Sequence, residues 1–361
     1  MVNIGDYRLI TFYNGEAHRN PEINFNRYAD QLCKIATQSM SFMQDESIIS
    51  AEGAFTIGIF GSWGSGKTTL MRKMQRQLDA RFNGINSKTI WFNPWKYEGK
   101  EEIWNALIQS ILREIANDKI ITETRRKSIL EICKRLALYA GRIGAKVPVA
   151  LIEKFAGVSL SQDIGFDLKQ LFGEDVNDPY CFINRFEEGF GNAVNDYVGQ
   201  DGKLIVFVDD LDRCLPENAL TVLESLKLYL DRANCVFIIG LDKRVIEQAV
   251  KQRYKSLVGV TGKEYIEKMI QLNFFLPEKD PIEVKRILQV GLNARYAENH
   301  KMWKLIQDAT KCNVRKVKQF TIAFHIIEEI AIELRIEKTM YDKLAKVLLI
   351  QMNFPIFLML C

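Results

Sequence analysis

This chain of 361 residues contains only three histidines. Its seven cysteines form no Cys-x-x-Cys pair. The cysteines are also widely separated, at positions 33, 133, 181, 214, 235, 312 and 361. Structural zinc sites and disulfide frameworks need such residues in even sets at short, regular spacing. The sequence therefore predicts neither, and it favours a reducing, cytoplasmic environment.

The chain also lacks a strong excess of charge. Its 49 lysines and arginines nearly balance its 45 acidic residues, which leaves a formal net charge of +4. A nucleic-acid-binding domain normally carries a marked basic excess or stripe. There is no strong nucleic-acid signal, and a nucleic-acid translocase is disfavoured. The first ten residues show no signal-peptide pattern.

Long uninterrupted apolar runs are missing as well. A transmembrane helix needs about 20 predominantly apolar residues, and the most apolar internal stretch, 136–155, has Arg142 and Lys146 near its middle. We predict no transmembrane segment and interpret 119–179 as an insert of soluble helices, while contact with a membrane surface stays open. The apolar stretch 347–361 is short and contains Pro355. It fits packing within a helical domain, an oligomer contact, or a chain cut from a longer protein.

A glycine-rich segment is the most informative feature that is present. It follows an apolar, strand-like run and precedes a helical pattern, and it fits the phosphate-loop pattern Gly-x4-Gly-Lys-Ser/Thr. Such a loop wraps an anion with backbone N–H groups at the start of a helix. The candidate nucleotide-binding residues are Gly61, Ser62, Trp63, Gly64, Ser65, Gly66, Lys67, Thr68 and Thr69. We expect Lys67, solvated in the empty loop, to reach the β- and γ-phosphates, and the Thr68 hydroxyl to ligate Mg²⁺.

A pair of acids provides a second signal. The apolar run Leu204–Val208 predicts a strand buried on both faces, and Asp209 and Asp210 follow it directly. Ligands bind at the carboxyl ends of strands in open α/β sheets. We therefore predict that Asp209 positions Mg²⁺ and that Asp210 directs the attacking water.

Strand-like and helical segments alternate up to about residue 280, which predicts right-handed βαβ units and a parallel sheet. Beyond that point only helical periodicity remains. We predict a leader region with one helix over 1–50, a nucleotide-binding core over 51–280 and a helical C-terminal domain over 281–361. The predicted strands are Phe55–Phe60, Thr89–Phe92, Leu204–Val208, Cys235–Gly240 and Leu272–Leu276.

The order of these motifs resembles the KAP family of P-loop NTPases, which belongs to the additional-strand division with the AAA and STAND ATPases. The resemblance extends from about residue 25 to about residue 325. It rests on the phosphate loop with its preceding strand and on the segments 90–98, 208–216, 265–271 and 313–320. It implies an α/β fold with a five-stranded sheet in the order 5-1-4-3-2, a helical insert and a helical C-terminal lid.

Single residues also have candidate roles, and those of Arg315 and Asp242 come from the resemblance. Arg315 matches an arginine with which the lid senses bound phosphate, and Arg213 is either an arginine finger acting in trans or a partner of Asp209 or Asp210 in cis. Asp242 lies where related ATPases keep a γ-phosphate sensor, although capping of a helix explains it equally well. Asn93, at a strand end, is a candidate for positioning water. Nearby aromatic residues are interpreted mainly as core rather than as nucleobase contacts: Trp91, Phe92, Trp95 and Tyr97.

Together these features predict a Mg²⁺-dependent ATPase that acts as a switch or assembly module. The family resemblance suggests bacterial anti-phage defence or signalling, with a homo-oligomer or a separately encoded effector as partner. An alternative is a scaffold that binds ATP or ADP without turnover. Asp210, where AAA enzymes commonly have the longer Glu, makes slow turnover credible.

Overall fold

The computed structural model describes most of the nucleotide-binding core and of the C-terminal helices. The predicted insert lies almost entirely outside the described residues, as do the leader before residue 25 and the last eight residues. The described ranges are 25–38, 53–80, 86–97, 103–118, 121–124, 126–127, 179–199, 202–229, 234–253, 261–277, 279–291 and 299–353.

A five-stranded sheet forms the centre of the fold, with strand order β2-β3-β4-β1-β5. The strands are β1 (Phe55–Phe60), β2 (Ser87–Phe92), β3 (Lys203–Val208), β4 (Cys235–Leu241) and β5 (Leu272–Phe275). β2, β3, β4 and β1 run parallel to one another. The predicted α/β fold and the order 5-1-4-3-2 are confirmed, because the observed order is the same one counted from the opposite edge.

The registers place the carboxyl ends of the central strands at one edge of the sheet. Phe60 lies opposite Leu241, and Val208 lies opposite both Ile239 and Phe92. Because a phosphate loop, an acid pair and Asp242 come directly after β1, β3 and β4, these motifs all leave the sheet from the same edge. This is the edge where open α/β sheets bind ligands.

The helices fill the intervals between strands and the C-terminal part of the chain. They are α1 (Asn26–Gln38), α2 (Lys67–Asp79), α3 (Ile103–Asn117), α4 (Pro179–Val198), α5 (Pro216–Tyr229), α6 (Lys243–Arg253), α7 (Gly262–Met269), α8 (Pro281–Gly291), α9 (His300–Thr310), α10 (Val314–Glu333) and α11 (Tyr341–Asn353). Within the described ranges no strand follows β5, as the loss of alternating pattern predicts. No helix in these ranges combines the length and the apolar character needed to cross a membrane.

Burial explains why the central strands are so apolar. Every residue of β3 and β4 is buried, since parallel strands are covered by helices on both faces. Phe207 and Phe237 are among the largest fully buried side chains, and burial of such a ring contributes about 1.5–3 kcal/mol. The apolar faces of α3 and α5 belong to the same core.

The described residues form two compact units. The sheet unit comprises residues 28–60 and 73–274, and the loop unit comprises 25–27, 61–72 and the chain from 275 onward. The loop unit has its own core, formed by helices α8 to α11: Val284, Met302, Trp303, Ile306, Val317, Phe320, Phe324, Ala331, Tyr341, Ala345, Leu348 and Leu349. The phosphate loop therefore belongs to the same unit as the C-terminal helices.

Candidate nucleotide-binding site

The loop between β1 and α2 has the backbone conformation that its glycines predict. Gly64 and Gly66 have φ angles of 79° and 103°, in the region that side chains other than glycine rarely adopt. Space is restricted at Gly64 too, where a Cβ atom would lie 2.5 Å from Oδ1 of Asn313. The N–H of Ser65 donates to the carbonyl of Ser62 over 3.1 Å, which closes the turn.

Lys67 is the first residue of α2. Its side chain is folded against the loop and is only 8% exposed. Its Nζ donates to the carbonyls of Gly61 at 2.7 Å and Ser62 at 3.4 Å. The expectation of a solvated lysine is therefore wrong. The ammonium group has three N–H donors, and the loop carbonyls accept hydrogen bonds from it.

Helix α2 starts within the loop motif itself. The N–H of Leu70 donates to the carbonyl of Gly66 over 3.0 Å, so this is the first turn of the helix. The N–H groups in the first turn of an α-helix point toward the helix end and not toward carbonyls of the same helix. They are therefore the groups that an anion at this helix end can use.

Three buried side-chain atoms of the described residues have no hydrogen-bond partner: Ser65 Oγ, Lys279 Nζ and Asn93 Oδ1. Ser65 and Lys279 belong to the loop unit, and Asn93 lies at the end of β2 in the sheet unit. Buried polar atoms are almost always paired in folded proteins, so each exception needs an explanation. In the loop unit, an oxygen-rich anion held by the loop would satisfy both the hydroxyl and the ammonium. The residues present therefore fit a bound phosphate group.

The start of α10 contacts the loop directly. Nδ2 of Asn313 donates to the carbonyl of Trp63 over 2.7 Å, while Oδ1 of the same side chain accepts from the N–H groups of Arg315 and Lys316. The Cβ of Arg315 lies 2.7 Å from where a Cβ on Gly64 would stand. The predicted sensor arginine is thus brought to the phosphate loop, and Asn313 is a contact that the sequence did not reveal.

The acid pair after β3 has two different environments. Asp209 is 3% exposed, and its N–H donates to the carbonyl of Phe92 over 3.0 Å. Asp210 adopts left-handed backbone angles, with φ 60° and ψ 26°. This conformation costs energy for a residue with a side chain, although Asp tolerates it better than most.

Both carboxylate oxygens of Asp210 are engaged. Nε of Arg213 lies 2.8 Å from Oδ1, and Nδ2 of Asn93 donates to Oδ2 over 3.0 Å. Of the two alternatives for Arg213, the structure contains the ion pair in cis with Asp210. Asn93 follows β2, the neighbour of β3, and its own Oδ1 has no hydrogen-bond partner among the residues that the structure describes.

Asp242, directly after β4, caps helix α6. Its Oδ1 accepts from the N–H of Arg244 over 3.1 Å, and its carboxylate also binds the guanidinium of Arg244 at 2.9 Å. The carboxylate beside it raises the pKa of Arg244. The capping interpretation of Asp242 is therefore realised in the structure.

The aromatic residues near β2 divide into two groups. Trp91 stacks on Phe207 at 5.3 Å between ring centroids, and Phe92 stacks on Tyr97 at 5.4 Å. Phe92 belongs to the core and Tyr97 packs against it, as predicted, whereas Trp91 is half-buried on the buried ring of Phe207. Trp95 does not belong to the core, because it is 50% exposed and its ring lies 5.6 Å from the guanidinium of Arg213.

Comparison with known proteins decides the family. The sequence profile of the KAP family P-loop domain matches residues 25–331. The chain belongs to the KAP family. This is the family that the order of motifs indicates, and the matched range extends from the start of α1 into α10.

Two curated relatives share about a quarter of their aligned residues with the chain. The chain is 24% identical to the phage T7 exclusion protein of Escherichia coli over 255 residues, which is 68% of this chain and 33% of the relative. It is 26% identical to an uncharacterized protein of Methanocaldococcus jannaschii over 160 residues, covering 38% of this chain and 81% of that protein. The chain thus spans a third of the length of the phage exclusion protein.

Among solved structures, the chain is similar to the ORC2 protein of Aeropyrum pernix, described in ADPNP and ADP complexes. The TM-score is 0.42 and the sequence identity is 15%, with 92% of this chain and 70% of that chain covered.

Proposed function

We propose that this protein is a Mg²⁺-dependent ATPase that uses nucleotide binding and hydrolysis to switch its conformation or its assembly. The observation that carries the proposal is the conformation of the loop at residues 61–68. Two of its glycines have positive φ angles, and the loop continues directly into the first turn of α2. This arrangement turns backbone N–H groups toward one anion. Membership of the P-loop family supports a nucleoside triphosphate as that anion.

Each candidate residue has a role in this proposal. Lys67 exchanges its hydrogen bonds to the carbonyls of Gly61 and Ser62 for contacts with the β- and γ-phosphates. Thr68 and Asp209 are the residues that would hold Mg²⁺, and the metal would neutralise charge on the phosphates. Asp210 directs the attacking water once one of its oxygens is released from Asn93 or Arg213.

The biological setting is proposed from the relatives and the composition. One relative is named as a phage T7 exclusion protein, which supports a role in bacterial defence against phage. We propose a cytoplasmic location, and a homo-oligomer or a separately encoded effector as the partner that responds to the nucleotide state.

The hydrogen bond and the ion pair of the Asp210 carboxylate support a second candidate function, a scaffold that holds ATP or ADP without turnover. A carboxylate that already accepts from Asn93 and from Arg213 has less capacity to accept a proton or hydrogen bond from water. The same nucleotide would then stabilise an assembly by binding alone, since any ligand that binds only the folded state shifts its stability.

A phosphate-release assay on purified protein distinguishes the two. An ATPase releases phosphate continuously with Mg²⁺ present and stops when Lys67 is replaced by alanine. A scaffold binds ATP in calorimetry but releases no phosphate beyond the level of the Lys67→Ala variant. Absence of nucleotide binding by the unaltered protein would reject both functions.

A further inference from the structure

Lys279 has a charged group in an unusual position. It lies between β5 and α8, and its buried Nζ has no hydrogen-bond partner among the described residues. The Nζ atom lies over the ring of Phe25, 3.6 Å from the ring centroid. A cation over an aromatic ring is favourable, but the ring offers no lone pair for the three N–H donors of an ammonium group. A cation has therefore been removed from water without the acceptors that would replace water.

Burial disfavours the charged form of the Lys279 side chain. Burial lowers the pKa of the Lys279 ammonium to about 8, and the carboxylate of Glu283 on α8 opposes that shift only partly. Among the described residues, the Phe25 ring and Gly66 also lie beside the amine, and neither carries a charge. Because burial disfavours the charged ammonium, pairing with an anion stabilises it strongly.

The phosphate loop is the neighbour that explains this arrangement. A Cβ atom on Gly66 would lie 3.4 Å from Nζ of Lys279 and 3.1 Å from Cζ of Phe25. Gly66 directly precedes Lys67 and the first turn of α2, where loop amides cradle the α- and β-phosphates in P-loop proteins. The unpartnered ammonium is thus next to the backbone of the predicted phosphate cradle, and all three residues belong to the loop unit.

We propose that Lys279 is a second cationic ligand of the bound nucleotide, contacting the α- or β-phosphate at the backbone of Gly66. This inference rests on the proposed nucleotide-binding function and extends it. Lys67 is assigned to the β- and γ-phosphates, whereas Lys279 binds a phosphate that nucleoside diphosphates and triphosphates share. Lys279 therefore sets the affinity for ADP and ATP alike and does not discriminate between them.

Calorimetric titration of the full chain with ADP and with a non-hydrolysable ATP analogue tests this assignment at pH 7. Lys279→Gln should lose about tenfold to a hundredfold in affinity for both nucleotides, as expected for one hydrogen bond to a charged group. Lys304→Gln is the matched control, since Lys304 is exposed on α9 of the same unit. It should change neither affinity by more than about twofold, because screened surface charges contribute little.

The pH dependence separates ligand contact from a structural role. In the unaltered protein the amine is largely neutral above pH 8, so binding of the phosphate must take up a proton and affinity should fall about tenfold between pH 7 and pH 9. Lys279→Arg stays charged over this range, so it should keep its affinity at pH 9. Titrations at pH 8.5 in two buffers of different ionisation enthalpy should show proton uptake by the unaltered protein that the Arg variant lacks.

The results distinguish this inference from the function on which it rests. If the unaltered protein binds no nucleotide, the proposed function fails and the role of Lys279 fails with it. If Lys67→Ala abolishes binding while Lys279→Gln binds as the unaltered protein does, the function stands and only the role of Lys279 is overturned. Should Lys279→Gln fold poorly, equal proton uptake by the unaltered protein and by Lys279→Arg overturns the inference.

Discussion

The side-chain amide of Asn313 donates a 2.7 Å hydrogen bond to the backbone carbonyl of Trp63, across 250 positions of sequence. The same side chain caps α10 through its oxygen, which accepts from the N–H groups of Arg315 and Lys316. One residue therefore connects the tip of the phosphate loop to the first turn of a C-terminal helix. A change in the loop at Trp63 must either carry this helix start with it or break the bond.

Substitution of Asn313 separates these two roles. Asn313→Asp keeps an oxygen that caps α10 but removes the amide donor to Trp63, whereas Asn313→Ala removes both. We expect Asn313→Ala to lower the free energy of unfolding by about 0.5–2 kcal/mol, the usual effect of losing a helix cap, and Asn313→Asp to lower it less. Hydrogen exchange should show faster exchange of the loop amides at 61–66 in both variants. Loop protection in Asn313→Asp equal to that of the unaltered protein would show that the bond to Trp63 does not restrain the loop.

Lys67→Ala should abolish measurable nucleotide binding and also reduce stability. The side chain is buried and donates to the carbonyls of Gly61 and Ser62. Its loss removes at least the short hydrogen bond to Gly61, and a hydrogen bond from a charged donor contributes about 1.5–3 kcal/mol to stability. Calorimetry measures the binding and chemical denaturation measures the stability. Lys67→Arg is the control, because it keeps the positive charge but presents a larger, planar group. Retained ATP affinity in Lys67→Ala would contradict the assignment of the loop.

The features of this protein that were predictable from its sequence are local or repeated along the chain. The phosphate loop is contiguous, and β4 and the part of β3 that follows Lys203 contain no polar side chain, because both faces are covered. The strand order came from the family resemblance, since no local pattern specifies which parallel strands become neighbours.

The missed contacts join residues that are distant in sequence. Asn93 and Asp210 are 117 positions apart, and nothing around Lys279 marks it as a neighbour of Gly66. The expectation of a solvated Lys67 was wrong for another reason. The motif identifies the role of Lys67 toward a phosphate, but it does not reveal that the side chain donates to carbonyls of the loop. Long-range polar contacts of single side chains leave no periodic signal in one sequence.

The two acids after β3 should respond differently to loss of charge. Asp209→Asn should weaken Mg²⁺-dependent ATP binding and turnover together, because we assign the buried Asp209 carboxylate to the metal. Asp210→Asn should keep nucleotide affinity within about threefold and reduce turnover by at least about a hundredfold, since we assign the Asp210 carboxylate to the chemical step and not to binding. It also removes the ion pair with Arg213. Binding is measured with and without Mg²⁺, and turnover by phosphate release. Identical behaviour of the two variants, or reversed roles, would contradict the assignment.

Arg315 provides a test of discrimination between ATP and ADP. Its Cβ lies beside Gly64 of the phosphate loop, and its N–H is bound by Asn313, the residue that also contacts Trp63. Arg315, Lys316 and Lys318 stand in the first turns of α10, where cations oppose the helix dipole. A γ-phosphate would offset that unfavourable placement, because hydrogen bonds between charged groups are about twice as strong as neutral ones. ADP lacks this phosphate, and a ligand favours a state only by its differential affinity for it. Arg315→Ala should therefore reduce affinity for an ATP analogue about tenfold to a hundredfold and leave ADP affinity nearly unchanged.

Arg335→Ala is the control, since Arg335 is exposed beyond the far end of the same helix. Calorimetry with both nucleotides measures the ratio, and equal losses for ADP and the ATP analogue would show that Arg315 does not sense the γ-phosphate.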